Sequence, residues 1–350
     1  MKAMVLKEAS RIELEELPEP EPGPDEVVIK VAYCGVCMTD VHIYDGSFPV
    51  KTPIILGHEC SGIVSNIGKE VKHIEVGDHV AINPLISCGY CRYCLSGKAN
   101  LCENALGVGV GGLGGRTAGR IIINGAYAEY VKVPEGNVIK FDKNVPLKYA
   151  ALTEPLACAI HAIELAEVNP GDRVAIIGAG PMGLILTYLA VYRGALQVIV
   201  LDLKDERLET AKLMGASDII NPRKCNPEEV IKDVTDDELV DVVIEAVGAP
   251  ETVQDTFKYV RRGGTILIFG VPPKDTLVNF SPFSVYFNEL RIVGSYALTP
   301  NSFLKSAELI SKSRINFDYI ITEIYPLEKL NEAIEKAKRG EGLKKLIKVH

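Results

Sequence analysis

The chain of 350 residues is long enough for two domains, and a hydrophobic fraction of 47% supplies a large core and excludes wholesale disorder. The net charge of −8, from 38 basic and 46 acidic side chains, argues against a nucleic-acid surface, which needs clustered Lys and Arg. No apolar run approaches the roughly 20 residues that span a bilayer, and the N-terminus lacks an apolar signal core, so we expect a cytoplasmic protein with no membrane partner.

Residues 1–150 are predicted to form mostly β-structure. Short runs rich in Val, Ile and Tyr at 26–33, 61–68 and 126–133 are typical of strands. Turn residues, such as the Pro-Gly-Pro segment at 22–24, separate these runs. The pattern therefore indicates a β-rich first domain.

Four cysteines in this region are spaced C-x2-C-x2-C-x7-C, which predicts a metal site. In a cytosolic chain the thiols stay reduced, so clustered cysteines favour metal binding over disulfides. Four thiolates leave no open position and match a closed, tetrahedral structural zinc site. The predicted zinc lobe spans about 85–105, and its ligands are Cys88, Cys91, Cys94 and Cys102.

A second group mixes one soft ligand with histidine and carboxylates. Cys37 and the pair His58 and Glu59 lie upstream of the four cysteines, and Glu154 follows them in a Glu-Pro turn. A mixed set with fewer strong ligands favours a zinc ion that keeps a position for water or substrate. We therefore expect two zinc ions per subunit, one structural and one catalytic.

From residue 151 onward, strands alternate with helices, and this alternation predicts an α/β domain with a doubly wound parallel sheet. The strand at 172–178 is a continuous apolar run, as expected for a strand covered on both faces. Further strands are predicted at 197–202, 218–220, 240–247 and 264–270. Helices are predicted at 181–192, at 252–260 and in a segment that ends at 214.

After residue 295 the alternation weakens, and we predict helices at 301–312 and 327–338 and a closing strand at 345–349. We expect this tail to return to the first domain, which would make that domain discontinuous. The predicted domains are therefore 1–150 with 296–350, and 151–295.

The sequence Gly-Ala-Gly-Pro-Met-Gly at 178–183 fits G-x-G-x-x-G between a buried strand and a helix, the context of a dinucleotide-binding loop. Gly178 permits the tight turn, Gly180 lets the backbone approach a pyrophosphate, and Gly183 lets the helix pack against the strand. The pyrophosphate is expected at the positive N-terminus of the helix. The segments that end the later strands are expected to border the nicotinamide. The predicted cofactor-binding residues are Gly178, Gly180, Pro181, Met182, Gly183, Asp202, Arg207, Val247, Phe269 and Val271.

Asp202 ends the strand that follows the glycine loop. An acidic residue at this place hydrogen-bonds a ribose 2′-hydroxyl and repels a 2′-phosphate, which predicts NAD over NADP. Two alternatives remain open: Asp202 could be an ordinary strand-end cap, and the nearby Lys204 and Arg207 could accommodate a phosphate.

A second G-x-G-x-x-G match at 109–114 lacks this context, because no buried strand is predicted before it and no helix start follows it. We predict that 107–119 is a flexible surface loop, with a role as a lid or subunit contact as the alternative.

The motifs Cys-Met-Thr-Asp-Val-His at 37–42, Gly-His-Glu at 57–59, the four-cysteine spacing and the loop at 178–183 closely resemble the zinc-dependent medium-chain alcohol dehydrogenase family. The resemblance covers essentially the whole chain. It implies a β-rich GroES-like catalytic domain and a Rossmann domain, with the active site in the cleft between them. It also implies hydride exchange between alcohols or carbonyl compounds and a nicotinamide and, by analogy, a homodimer or homotetramer.

The resemblance assigns Cys37 and His58 as ligands of the catalytic zinc, with Glu59 binding the metal or approaching it transiently. The segment Thr-Glu-Pro-Leu at 153–156 resembles the sorbitol (polyol) and threonine dehydrogenase branch, where Glu occupies a position held by Cys in other members. Glu154 is therefore the expected third ligand, and Cys158, one helical turn further on, is the alternative. A carboxylate in place of a thiolate makes the zinc harder, which suits polyhydroxy substrates.

The resemblance also assigns a proton path. Asp40 would orient the ligand His58, which fixes the tautomer of the ring. Thr39 would hydrogen-bond the oxygen at the zinc, and His42 would pass the proton to solvent, a role suited to a pKa near neutrality.

Within the branch, Asp-Val-His at 40–42 followed by Tyr44 resembles the polyol enzymes. We therefore expect oxidation of a secondary alcohol or polyol to a ketone with NAD as acceptor. Ser47, Phe48 and Tyr296 are candidate pocket residues. Oxidation of L-threonine or another amino alcohol is the first alternative, and a non-catalytic redox sensor that binds zinc and a dinucleotide is the second.

Overall fold

A computed structural model of the protein describes residues 1–110 and 122–350. These residues divide into two compact units, Met1–Ala157 with Leu298–His350, and Cys158–Ala297. The first division lies at 157, inside a helix, rather than at the expected 150. Among the described residues, no helix combines the length and apolar character that crossing a membrane requires.

The first segment of the first unit is rich in short strands. They are β1 (Lys2–Glu8), β2 (Arg11–Glu16), β3 (Glu26–Gly35), β4 (Ile54–Ile55), β5 (Glu59–Ile67), β6 (His79–Ile82), β7 (Leu85–Ile86), β8 (Leu106–Val108), β9 (Ile122–Ile123), β10 (Tyr130–Pro134) and β11 (Val138–Phe141). The helices of this segment are α1 (Met38–Tyr44), α2 (Arg92–Leu95), α3 (Leu147–Ala150) and α4 (Thr153–Ala166), the last of which crosses the division between units.

The second unit alternates strands and helices in the predicted manner. Its elements are β12 (Arg173–Ile177), α5 (Pro181–Tyr192), β13 (Gln197–Leu201), α6 (Asp205–Leu213), β14 (Asp218–Ile220), α7 (Pro227–Val234), β15 (Val240–Glu245), α8 (Pro250–Tyr259), β16 (Val260–Ile268), α9 (Pro282–Phe287) and β17 (Arg291–Gly294). Of these, α7, α9 and β17 were not predicted.

The chain then returns to the first unit. The returning elements are α10 (Pro300–Ser311), β18 (Ile321–Pro326), α11 (Leu330–Lys338) and β19 (Lys344–Lys348). The last strand joins the main sheet of this unit, whose order is β11-β6-β5-β3-β19-β18, with β10 also paired to β3. Leu346 of β19 pairs with Gly35 of β3, so the end of the chain lies beside the end of β3.

The six-stranded sheet of the second unit has the order β14-β13-β12-β15-β16-β17 and is parallel throughout. The β12 residues Val174, Ala175 and Ile176 are fully buried, as a parallel strand with both faces covered requires. The strand order reverses between β12 and β15, which is where doubly wound folds bind ligands. The predicted fold class is confirmed.

The predicted strand at 126–133 is wrong over its first half, because β10 begins only at Tyr130. The backbone at 126–129 bonds to several segments instead of one ladder: Ala126 N–H donates to Gly57 O, and Tyr127 N–H donates to Leu56 O. Ala126, Tyr127 and Ala128 are fully buried, but burial alone does not make a strand.

The predicted surface loop at 107–119 is wrong at its start and lies outside the described residues from 111 onward. Gly107 and Val108 belong to β8, which pairs with β7 and β9, so a short strand does precede the second glycine pattern. Gly109 is buried with φ +61°, and a Cβ there would lie 2.2 Å from Gly57 O. Packing against Gly57 therefore explains this glycine.

Candidate metal centres and cofactor loop

The four predicted zinc-ligand cysteines converge. The sulfur atoms of Cys91 and Cys94 are 3.5 Å apart, those of Cys88 and Cys94 4.0 Å, and those of Cys91 and Cys102 3.9 Å. Tetrahedral zinc with Zn–S bonds of about 2.3 Å requires S–S separations of about 3.8 Å. The cluster fits a structural zinc ion without rearrangement.

Local structure produces this convergence. Cys91 precedes the first turn of α2, so Cys91 and Cys94 lie on one side of that turn. Cys102 follows a short 3-10 turn at Ala99–Leu101, and its sulfur accepts hydrogen bonds from the N–H groups of Cys88 and Asn104 at 3.3 and 3.4 Å. Burial raises the pKa of the Cys88 thiol, but the backbone N–H groups of its neighbours bring that pKa down to about 6, which favours the thiolate that zinc needs.

The lobe around these cysteines has almost no apolar core of its own. Its buried cluster consists of Cys91, Cys102 and Ala105. Because two of these three side chains are predicted metal ligands, a bound metal would contribute most of the stability of the lobe.

A second group of ligand atoms converges at Cys37, His58 and Glu59, all within 4.8 Å of one another. Cys37 directly precedes α1, and Glu59 begins β5 opposite Gly35 in the ladder with β3. His58 and Glu59 are nearly inaccessible to solvent. A soft ligand, an imidazole and a carboxylate therefore meet in a dry site, which fits the predicted catalytic zinc.

Asp40 is fully buried and ties this cluster together. One carboxylate oxygen accepts hydrogen bonds from Cys37 N–H at 2.9 Å and Tyr127 Oη at 2.8 Å, and the other lies 3.5 Å from His58 Nδ1. Burial lowers the pKa of His58, but Asp40 raises that pKa by more, so it stands well above its ordinary value. With Nδ1 facing Asp40, Nε2 is left for a metal.

Tyr127 was missed by sequence reasoning, which placed it in a strand. Its side chain is fully buried, and burial together with Asp40 raises the pKa of its hydroxyl well above the usual value, so the hydroxyl stays protonated. The only sequence signal is a polar aromatic side chain between two buried alanines, which does not specify a partner.

Lys344 was also missed. This side chain is 5% exposed, and its Nζ donates to Glu59 Oε1 at 2.6 Å and to Val36 O at 3.1 Å. Burial lowers the pKa of Lys344, but the charge of Glu59 raises it by more, so the ammonium stays charged. The signal was a pair of lysines in an apolar closing strand, because a buried lysine requires a partner.

The predicted third ligand, Glu154, is not among the converging ligand atoms of the described residues. It is half-buried in the first turn of α4, and its charge helps to raise the pKa of Lys344, so its carboxylate lies within electrostatic reach of that ammonium. Cys158, the alternative ligand, is in the same helix and likewise not among the converging atoms.

Helix α1 carries the predicted proton path. Thr39 Oγ1 lies 3.6 Å from Cys37 Sγ, and His42 Nδ1 lies 3.3 Å from Ser47 Oγ. The rings of His42 and Phe48 are 4.6 Å apart, and Ser47 is exposed to solvent. The helix therefore has Thr39 next to the metal cluster and His42 next to a solvent-facing hydroxyl, whereas the candidate Tyr296 lies in the second unit.

The glycine loop at 178–183 has the geometry of a phosphate-binding turn. Gly178 has φ +102°, and a Cβ on Gly183 would lie 1.7 Å from Gly178 O, so both positions require glycine. A Cβ on Gly180 would meet no protein atom within 4 Å. This open space lies at the N-terminus of α5, whose first two residues are Pro181 and Met182. A pyrophosphate could therefore approach the backbone there.

Asp202 fastens this loop to the next strand end. Its carboxylate accepts hydrogen bonds from Ala179 N–H at 2.7 Å and Lys204 N–H at 2.9 Å, and Arg207 lies 4.0 Å away. The alternative interpretation as a strand-end cap is thus observed. This does not conflict with the predicted ribose contact, because a carboxylate oxygen can accept more than one hydrogen bond.

Val247 and Val271 follow β15 and β16, and each is about half exposed, at 51% and 54%. Phe269, which follows β16, is half-buried, and its backbone N–H donates a hydrogen bond to Glu245 O. Two apolar side chains exposed beside the point where the strand order reverses fit a flat ligand ring.

Both units of the chain match known protein families. The family described as "Alcohol dehydrogenase GroES-like domain" matches residues 23–143, and the family described as "Zinc-binding dehydrogenase" matches residues 181–312. The chain is 36% identical to the sorbitol dehydrogenase of Bacillus subtilis (strain 168) over 341 residues, which covers 96% of the chain and 93% of that protein.

Solved structures agree with these matches. The alcohol dehydrogenase TADH from Thermus sp. ATN1 superposes with a TM-score of 0.90 at 32% identity, covering 100% of both chains. A protein from Sinorhizobium meliloti 1021, assigned as a zinc-binding dehydrogenase and solved with NADP, gives a TM-score of 0.92 at 34% identity, covering 99% of both chains.

Replacing Cys102 by Ser should remove one of two zinc ions per chain, because a hydroxyl is a poor substitute for a thiolate. Zinc per chain is measured by inductively coupled plasma mass spectrometry. Cys225→Ser, at an exposed thiol, is the control and should retain both ions. Two ions retained by Cys102→Ser would contradict the structural site.

Replacing Tyr127 by Phe should weaken zinc retention at the Cys37 cluster by roughly tenfold, because Asp40 loses a donor and holds His58 less firmly. The rate of zinc transfer to a chelator measures this change. Tyr44→Phe removes another buried hydroxyl, one that bonds to Glu335, and should leave the rate unchanged. Equal rates in both variants and the parent would show that Tyr127 does not act on the cluster.

Proposed function

Because the chain belongs to the zinc-binding alcohol dehydrogenase family, we propose that it oxidises a secondary alcohol or polyol to a ketone and transfers the hydride to NAD. The observation that carries this proposal is the dry cluster of Cys37, His58 and Glu59 in a chain that also has a dinucleotide loop. The likeness to a sorbitol dehydrogenase supports the polyol class.

When bound, the catalytic zinc supplies Lewis-acid polarisation of the substrate oxygen, and NAD accepts the hydride. Cys37 and His58 would hold that zinc, and we propose Glu154 as the third ligand. Asp40 faces Nδ1 of His58 at 3.5 Å, so the ring would offer Nε2.

The side chains on α1 move the proton that the alcohol loses. Thr39 Oγ1, beside Cys37, accepts the hydrogen bond of the substrate hydroxyl, and His42 passes the proton outward. His42 Nδ1 meets Ser47 Oγ at 3.3 Å, and Ser47 faces solvent, so the last step of this path has a hydrogen-bond partner.

Glu59 is held by Lys344, whose Nζ lies within 2.6 Å of both carboxylate oxygens. This ion pair opposes permanent metal binding by Glu59, because the carboxylate would have to leave a buried ammonium. We therefore assign Glu59 a transient approach to the metal.

We propose NAD as the preferred cofactor because Asp202 presents a carboxylate where a 2′-phosphate would lie. Arg207, which could favour a phosphate, lies 4.0 Å from Asp202 and is partly neutralised by it. The relative solved with NADP makes the ratio of the two cofactors a direct test.

We further propose that the protein is a cytoplasmic homodimer or homotetramer. Strand β17 is an edge strand of the six-stranded sheet, and Ile292 in it is 43% exposed. Helix α9 adds exposed Phe283, Tyr286 and Phe287. An exposed apolar edge strand can pair with its own copy across a two-fold axis, which would cover these side chains. The clustered cysteines, which suit metal binding as thiolates, support a reducing compartment such as the cytoplasm.

The substrate class is tested by NADH formation, followed by absorbance, on sorbitol, other polyols, secondary alcohols and L-threonine. We expect turnover on a polyol or diol with NAD preferred over NADP, and Glu154→Ala should lower kcat/KM at least about 100-fold and remove one zinc. Cys158→Ala should leave both unchanged. Loss of zinc in Cys158→Ala, and not in Glu154→Ala, would show that Cys158 is the third ligand. Turnover on L-threonine alone would contradict the assignment of a polyol substrate.

The assembly is tested by light scattering coupled to size-exclusion chromatography. Ile292→Asp places a charge on the β17 edge and should shift the mass to a single chain or, for a tetramer, to a smaller assembly. Leu213→Asp, at an exposed helix position of the same unit, should not change the mass. A monomeric parent protein would contradict the proposal.

A further inference from the structure

The last residue of β15, Glu245, is a fully buried carboxylate that neither the zinc clusters nor the dinucleotide loop accounts for. Its Oε1 accepts three hydrogen bonds, from Val247 N–H at 2.8 Å, Gly248 N–H at 2.8 Å and Thr252 Oγ1 at 2.7 Å. One side-chain atom thus fastens the turn after β15 to the first turn of α8.

The backbone of Glu245 fastens a second loop. Its carbonyl oxygen accepts hydrogen bonds from Phe269 N–H at 2.9 Å and Gly270 N–H at 2.8 Å, in the segment after β16. The residue therefore holds both loops that lie beside the reversal of strand order, one through its side chain and one through its main chain.

These two loops are packed backbone to backbone. A Cβ on Gly248 would lie 2.7 Å from Val271 O, and a Cβ on Gly270 would lie 2.2 Å from Gly248 N. Contact also reaches the dinucleotide loop, because a Cβ on Gly178 would lie 2.8 Å from Val247 Cγ2. A shift of the turn after β15 would therefore displace both Val247 and Val271.

The other carboxylate oxygen, Oε2, is buried and accepts no hydrogen bond from the described residues, and a Cβ on Gly270 would lie 2.7 Å from it. A buried carboxyl oxygen without a donor destabilises the fold. An apolar side chain would be more stable at this buried position if packing were its only role. The carboxylate therefore indicates that this position serves to fix the geometry of the loop.

We propose that Glu245 is a positioning residue for the nicotinamide half of the cofactor. Its carboxylate sets the turn that carries Val247 and, through the contact between Gly248 and Val271, the loop on the other side. This inference rests on the proposed dehydrogenase function, because that function supplies the nicotinamide ring that these side chains would border. The adenine half is expected at the strand end of Asp202, whose carboxylate bonds to Ala179 N–H and not to the turn that Glu245 holds.

The test compares two ligands that differ by the nicotinamide ring. Dissociation constants of NADH and ADP-ribose are measured by fluorescence and calorimetry on the full-length protein. In Glu245→Ala we expect NADH to bind about tenfold more weakly and ADP-ribose to bind within twofold of the parent value. Thr252→Val removes one of the three donors to Oε1 and should give a smaller change in the same direction.

Glu251→Gln is the matched control, because this carboxylate is exposed in the same helix, and it should change neither constant. If Glu245→Ala does not fold, Glu245→Gln and Thr252→Val carry the test, since both preserve side-chain volume. Equal weakening of NADH and ADP-ribose would indicate a structural role and overturn the proposal, as would unchanged binding of both. Failure of the parent protein to bind NADH would instead refute the proposed function.

Discussion

The buried carboxylate of Asp40 is the group on which the metal site of the first unit depends. It joins three parts of the chain that are distant in sequence: the start of α1 through Cys37 N–H, the segment before β5 through His58, and the segment before β10 through Tyr127. A buried charge of this kind is stable only when donors surround it. The donors that stabilise Asp40 are therefore the groups that orient the metal ligands.

The end of the chain completes the same site. Strand β19 lies between β3 and β18 and brings Lys344 to Glu59, where the ion pair is sealed from solvent. Without this strand, Glu59 would be a buried charge with no cation beside it. The discontinuity of the first unit thus has a physical consequence, because a residue near the C-terminus sets the charge balance of a cluster formed near the N-terminus.

The second unit uses acidic side chains differently. Asp202 and Glu245 each end a parallel strand and accept hydrogen bonds mainly from backbone N–H groups of the loops that follow. Such bonds fix loop geometry, whereas Asp40 and Glu59 of the first unit also contact side chains, those of Tyr127 and Lys344. This difference matches the ligands expected in each unit, because proteins hold a dinucleotide largely through backbone groups and a metal ion through side chains.

The amino-acid sequence by itself determined the local features. The four-cysteine spacing, the glycine loop after a buried strand and the alternation of strands and helices each depend on neighbours in the chain, so their convergence could be predicted. The tertiary structure alone decided the roles of Tyr127, Lys344 and Glu245. Each is a buried polar group whose partner lies on another element or is a backbone atom, and sequence patterns carry no signal for such pairings. The same reason explains the error at 126–129, where the hydrogen-bond partners are contributed by residues far away in the chain.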